Sequence, residues 1–192
     1  MSTVPDDRED REDADDLDAD GAVVVIKAEA GAEEAAELVR MLLRMYLGFC
    51  RRRGWTVLDL EETPASDAVG LSRAVFGVAD EGAFGILRGE TGVHRLVRVA
   101  PSSGYRQTAF ARVMVIPASS GAVAVTEDDR VVARFGRGEP VYTMRSPGQI
   151  RSYTLDPNSK VEDHRTGVET SEAARVLDGD LDLLTGRDRA GR

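Results

Sequence analysis

Apolar residues fall into two kinds of spacing along this chain. Between residues 33 and 53, Ala35, Leu38, Val39, Leu42, Leu43, Tyr46, Phe49 and Cys50 recur at intervals of three and four, which gathers them on one face of an α-helix. Glu33, Glu34 and Glu37 occupy its first turns and Arg51, Arg52 and Arg53 its last, with Gly54 as the stop. Those signs suit the helix dipole at both ends. Elsewhere the spacing is that of strands. Residues 22–28 form a short buried run; 55–60 and 70–79 follow, separated by Thr63-Pro64-Ala65-Ser66-Asp67, a loop by composition. Residues 84–90 read as a short helix or turn. Residues 121–126 make a strand, 129–135 and 140–144 a hairpin across Gly136-Arg137-Gly138, and 150–155 a strand that completes the sheet. From Pro157 the chain is polar and irregular until a helical turn at 171–177, and residues 185–192 read as a frayed end. One long amphipathic helix among short strands predicts an α+β fold with a mixed or antiparallel sheet.

Residues 88–116 are the stretch around which the rest is organised. Two runs, 93–99 and 108–116, alternate apolar and basic residues on either side of Pro101-Ser102-Ser103-Gly104, a loop of chain-reversing residue types. They predict a hairpin. In the first run Val93, Arg95, Val97 and Val99 share one face and His94, Leu96 and Arg98 the other. Neither face is purely polar, which predicts a strand covered on both sides. Arg88, Arg95, Arg98, Arg106 and Arg112 meet a single carboxylate here, Glu90. A basic patch of this kind suits phosphate, whose oxygens the guanidinium fork binds in pairs. It equally suits arginines that pair with distant acids and solubilise a sheet.

Composition narrows the picture. At 192 residues the chain has room for one domain with a proper core. Its net charge of −9 is unevenly spread: residues 1–20 hold ten acids and two arginines, a net of −8, and the remaining 172 residues carry only −1. The first 20 residues are too charged and too poor in apolar groups to offset the entropy of ordering, and they read as a disordered acidic tail. The body that follows is almost neutral, so the low isoelectric point does not argue against an RNA partner. Cys50 is the single cysteine; it excludes an internal disulfide or a cysteine-cluster metal site, and its place on the apolar helix face assigns it to the core. No apolar run is long enough to span a membrane and the acidic N-terminus is the opposite of a secretory signal, so a cytoplasmic protein is expected. His94 and His164 are far apart, no serine, cysteine or carboxylate set has a catalytic spacing, and neither a cofactor nor a small-molecule substrate is indicated. Trp55 and Phe76 read as core aromatics rather than stacking platforms.

Two long blocks carry a resemblance. Glu90-Thr-Gly-Val-His-Arg-Leu-Val-Arg98, with its proline loop and Tyr105-Arg-Gln-Thr-Ala-Phe110, resembles the codon-reading domain of bacterial class-I peptide chain release factors, and of the two kinds it is more similar to release factor 2. Gln149-Ile-Arg-Ser-Tyr-Thr-Leu-Asp156, Arg165-Thr-Gly-Val-Glu-Thr170 and Val176-Leu-Asp-Gly-Asp-Leu-Asp182 resemble the C-terminal segment of the same family. The resemblance implies a release-factor decoding fold over residues 21–184. In that family a domain bearing Gly-Gly-Gln lies between the two segments and assists water attack on peptidyl-tRNA. Here only about 22 residues, 127–148, stand in that place, against the roughly 100 that a separate domain needs. Ser146-Pro147-Gly148-Gln149 is not the tripeptide, because Gln149 matches the glutamine that precedes Ile-Arg-Ser-Tyr. The recognition loop also departs from the family's Ser-Pro-Phe, having Ala100-Pro101-Ser102, and Gln107 replaces the histidine that stacks on stop-codon bases, while Thr108 is kept.

The expectation is therefore a protein without hydrolase activity that binds the ribosomal A site, with its rRNA and mRNA, or another structured RNA. Arg88, Arg95, Arg98, Arg106 and Arg112 would meet phosphates, and Glu90, Gly92, Tyr105, Gln107 and Thr108 complete the candidate RNA-contacting set. Two alternatives stand beside it. One is a protein-interaction or regulatory module that has lost RNA contact; the other is termination with a hydrolytic domain supplied by a separate polypeptide.

Overall fold

The structure, a computed structural model, describes residues 21–30, 32–66, 69–99, 104–118, 122–125, 131–134, 140–144 and 148–185. The acidic tail 1–20, the loop 100–103 and residues 186–192 lie outside them. The described residues form eleven strands: β1 (Ala22–Ala28), β2 (Val57–Pro64), β3 (Leu71–Val78), β4 (Gly92–Val99), β5 (Arg106–Pro117), β6 (Ala122–Val125), β7 (Val131–Arg134), β8 (Pro140–Met144), β9 (Gln149–Thr154), β10 (Lys160–Asp163) and β11 (Glu169–Thr170). The helices are α1 (Ala32–Arg53) and three short ones, α2 (Ala83–Leu87), α3 (Ala173–Leu177) and α4 (Asp182–Thr185).

The apolar stripe of α1 forms as its spacing predicts. Leu38, Val39, Leu42, Met45, Tyr46 and Cys50 are fully buried. At about 2 kcal/mol for each buried aliphatic side chain, this face holds the helix far more strongly than its intrinsic propensity does. It covers one face of an eight-stranded sheet in the order β11-β10-β9-β4-β5-β1-β3-β2. Val24 and Ile26 of β1, Ala74, Phe76 and Val78 of β3, Ala109 to Val115 at alternate positions of β5, and Tyr153 of β9 meet it there. A smaller cluster, Val25, Met114 and Ile116 with Val23 and Val75, lies on the opposite face and buries both sides of β1 and of the second half of β5. The expectation that strand 93–99 is covered on both sides is met only in part: on its helix side His94 and Leu96 are buried, whereas on the other side Val97 is buried, Val93 and Arg95 are half-buried and Val99 is exposed.

Neighbouring strands of this sheet run antiparallel with one exception, β4 beside β9, which are parallel. That exception joins the two blocks singled out in the sequence. β6, β7 and β8 form a separate three-stranded antiparallel sheet. The C-terminal turn after α3 closes against α1 at Gly48, where a Cβ would lie 2.6 Å from the Asp178 carbonyl. Only a glycine allows the two backbones to come that close.

Two sequence expectations are corrected. β2 continues through Thr63 and Pro64, which composition assigned to a loop; as the edge strand it tolerates a proline with no N–H to donate. The segment after Pro157 is not irregular, since it contains β10 and β11. Hydrophobic alternation could not reveal β10, Lys160-Val-Glu-Asp163, because one of its two inward residues is Asp163, buried as an ion-paired carboxylate.

Candidate nucleic-acid interface

The predicted hairpin is β4 paired with β5, and its register sorts the candidate residues by face. His94 is opposite Ala111, Leu96 opposite Ala109, and Arg98 opposite Gln107. These point toward α1. Val93 is opposite Arg112, Arg95 opposite Phe110, Val97 opposite Thr108, and Val99 opposite Arg106, and these share the other face, because side chains alternate along a strand.

The helix-side face leads into a buried polar cluster. Glu90, at the end of the 3-10 turn Arg88–Glu90, accepts from Arg151 Nη2 at 2.8 Å and from the Tyr46 hydroxyl at 3.1 Å. Arg151 Nη2 also donates to Asp163 Oδ2 at 2.8 Å, and Arg165 Nη2 reaches the same oxygen at 2.6 Å and Glu90 Oε1 at 3.4 Å. Glu90, Asp163 and Arg151 are buried, Arg151 only 1 % exposed, and Arg165 closes the cluster from the surface, so that two carboxylates and two guanidiniums neutralise one another. His94 completes the cluster. Its Nε2–H donates to the Glu90 carbonyl at 3.2 Å, which leaves Nδ1 to accept from the Tyr153 hydroxyl at 3.1 Å. Burial would raise the Glu90 carboxyl, but the Arg151 guanidinium outweighs it and holds the group down at about 2. Burial and then Arg151 push His94 down to about 4, so its ring is neutral at pH 7. His94 is a hydrogen-bonding core residue in this arrangement.

Of the ten candidate residues, Glu90 and Gly92 therefore lie inside the protein. Gly92 has φ +150°, and a Cβ there would fall 2.4 Å from Ile150 Cγ2, so its close approach is to β9. Arg98 is engaged with both oxygens of Glu37 on α1, one at 2.8 Å, and Arg112 with Glu29 just beyond β1. The Glu37 hydrogen bonds raise the Arg98 guanidinium further above its ordinary value. Arg88, Tyr105, Arg106 and Thr108 are exposed and Arg95 is half-buried. Among the described residues, neither Arg95 nor Arg106 makes a side-chain ion pair. Arg95, Arg106 and Thr108 share the face turned away from α1, next to the loop 100–103. Gln107, on the helix side, has a buried Oε1 that finds no hydrogen-bond donor among the described residues.

A second polar cluster escaped the sequence reading. Ser152 Oγ lies 2.8 Å from His164 Nε2, and His164 Nδ1 is 3.5 Å from Glu162. The line-up superficially matches a hydrolytic triad, but Gln149 Nε2 stands 2.9 Å from the same ring nitrogen and Glu162 is tied to Lys160 at 3.1 Å. One lone pair cannot serve both donors, so Ser152 has no uncommitted base. Among the described residues no group of His, Cys, Asp and Glu could hold a metal ion, and no helix is long and apolar enough to cross a membrane.

The comparisons fit this geometry. The PCRF domain model matches residues 12–113. Peptide chain release factor 2 of Bordetella pertussis is 35% identical over 228 aligned positions, which take in 83% of this chain and 61% of the relative. That of Variovorax paradoxus is 32% identical over 231 positions, covering 85% and 62%. The solved structure of RF2 of Thermus thermophilus superposes with a TM-score of 0.69 at 28% identity, covering 98% of this chain and 79% of that one. The chain spans about three fifths of the length of the curated relatives. Because 83% of 192 is about 159 residues, roughly 70 of the 228 positions aligned with the Bordetella protein have no residue of this chain opposite them.

Proposed function

The chain belongs to the peptide chain release factor family, a family of translation termination, and from that premise we propose that it binds the ribosome without hydrolysing peptidyl-tRNA. One observation carries the reading: β4 lies directly beside β9, so the two release-factor-like blocks meet in one sheet with only residues 118–148 connecting them. The aligned relative has roughly 70 more positions than this chain in the matched region, and the chain contains no two consecutive glycines from which a Gly-Gly-Gln could be drawn. Binding falls to the hairpin face turned away from α1. Arg95 and Arg106 take phosphates there, Thr108 on the same face and exposed Tyr105, next in sequence to Arg106, take bases, and Arg88 lies at the hairpin's other end. Gln107 offers an amide where a stacking ring would be needed, so stop-codon reading is not part of the proposal.

Co-sedimentation with 70S ribosomes at about 50 and 200 mM salt, with and without a stop codon in the A site, tests the binding. Association should fall steeply with salt, as for any set of phosphate contacts, and a peptide-release assay with the protein alone should stay blank. Salt-insensitive or absent association ends the binding claim, and released peptide ends the non-hydrolytic one. A second reading, a protein-interaction module, is favoured by the engagement of Arg98 and Arg112 with Glu37 and Glu29, which leaves fewer guanidiniums for RNA. Partner capture that survives nuclease treatment would select it.

A further inference from the structure

Helix α1 buries one face, and its opposite face carries a ridge of arginines that the hairpin reading does not use. Arg40, Arg44 and Arg51 stand at i, i+4 and i+11, within an arc of about 40° around the helix axis. With Leu47 between them, and Glu62 and Asp178 at the sides, they line an open groove of about 390 Å³. Arg44 reaches Asp178 at 3.2 Å, both largely exposed. Among the described residues Arg40 and Arg51 make no ion pair. Three guanidiniums thus face two carboxylates in a surface cleft of a nearly neutral body, a local positive excess without an assigned partner.

The complementary charge sits in the same chain. Residues 1–20 carry ten acids against two arginines, and the first strand of the fold starts at the end of the sheet where α1 ends. Ala22 is opposite Val78, and Val78 is opposite Val57, so the start of β1 lies two strand spacings, about 10 Å, from the residue that follows the C-terminal end of α1 by four positions. An extended chain of 20 residues reaches about 66 Å, several times the distance needed. The spacings also agree. Alternate residues of an extended segment, which share a face, are about 6.6 Å apart, close to the roughly 6 Å between Arg40 and Arg44 along the helix.

We propose that the acidic segment formed by residues 6–20 docks along the Arg40–Arg44–Arg51 ridge of α1 and occupies it as a polyanion. The docking goes beyond the ribosome reading and does not depend on it. It gives the segment a place on the body and gives the ridge an occupant, so that this helix face is withheld from phosphates while the hairpin face is left open.

The test uses the full chain with Ala14→Cys carrying a nitroxide label. Cys50 is buried and its thiol is pushed up to about 11 by burial, so the label goes to the introduced residue. In low salt the label should remove most of the amide NMR intensity of the α1 residues from Arg40 to Arg51. The intensity should return at about 0.5 M salt, where screening extends over less than about 5 Å. It should also return in the triple variant Arg40→Gln, Arg44→Gln, Arg51→Gln, whose unlabelled amide spectrum reports that the fold is kept. Absence of broadening in low salt, broadening that survives in the triple variant, or broadening centred on Arg95 and Arg106 of the hairpin overturns the proposal.

Discussion

Replacing Glu90 by Gln tests whether the buried charge cluster holds the two halves of the sheet together. The substitution keeps shape and removes one charge, leaving Arg151 and Arg165 to share Asp163 alone. The gap between about 2 for the folded carboxyl and 4.5 for the free side chain converts to roughly 3 kcal/mol at about 1.4 kcal/mol per pH unit. Removing one partner of a buried ion pair typically costs about 3–5 kcal/mol, so two independent routes agree. For a chain of this size the expected fall in Tm is about 6–12 °C at pH 7. The sign follows from linkage: because the folded pKa lies below the unfolded one, the contribution is complete above pH 4.5 and disappears as the pH falls through about 2. A protonated Glu90 and a Gln are nearly isosteric. Thermal unfolding followed by circular dichroism from pH 7 down to pH 2 should therefore give two curves that converge in acid. A variant as stable as the parent at pH 7, or a gap that persists undiminished near pH 2, refutes the reasoning.

Other consequences can be checked with the same tools. Gly92→Ala forces a Cβ to within 2.4 Å of Ile150 at φ +150° and should cost about 3 kcal/mol, read as a lowered denaturant midpoint. Arg106→Ala, at an exposed position, should leave stability within about 0.5 kcal/mol and reduce the salt slope of ribosome association by about one; Arg98→Ala should instead cost about 1 kcal/mol through the lost Glu37 pair. His94 is neutral when folded, with its ring held at about 4 against 6.5; its contribution is whole above pH 6.5 and is lost as the pH falls towards 4, so urea midpoints should decline over that window and His94→Asn should flatten the decline.

The long helix and the central hairpin were legible because apolar spacing reports directly on burial. Leu38, Leu42, Tyr46 and Phe49 could be placed on the covered face of α1 from position alone. The polar core was not legible. Arg151, Asp163 and Arg165 look like solvated charges in any count of hydrophobicity, and only the fold brings them to Glu90, 61 to 75 residues away in sequence. The same limit applies to the candidate interface. Spacing alone left open whether Arg98 and Arg112 face phosphate or distant acids, and Glu37 and Glu29 supply such acids. Parity places Arg98 on the face of His94 and Leu96, but apolar content did not single that face out for burial, since Val93, Val97 and Val99 lie on the other.

That parity links the interior to whatever the hairpin binds. A slip of β4 by one residue would exchange His94 and Arg98 for Arg95 and Val97, burying the wrong charges and turning the histidine to solvent. The cost of such a slip is set by the cluster, because His94 loses Tyr153 and the Glu90 carbonyl while a guanidinium without a carboxylate enters the core. Gly92, fitted against Ile150 at the start of the same strand, fixes the register from the other end. The outward placement of half-buried Arg95 and of exposed Arg106 and Thr108 is therefore a consequence of residues that no ligand touches, and a substitution at Glu90 or Gly92 that weakened ribosome association would do so by loosening the register, with a loss of stability to match. A substitution at Arg106 that acted through the interface would lower association with the melting curve unmoved, and the two kinds of effect separate on that measurement.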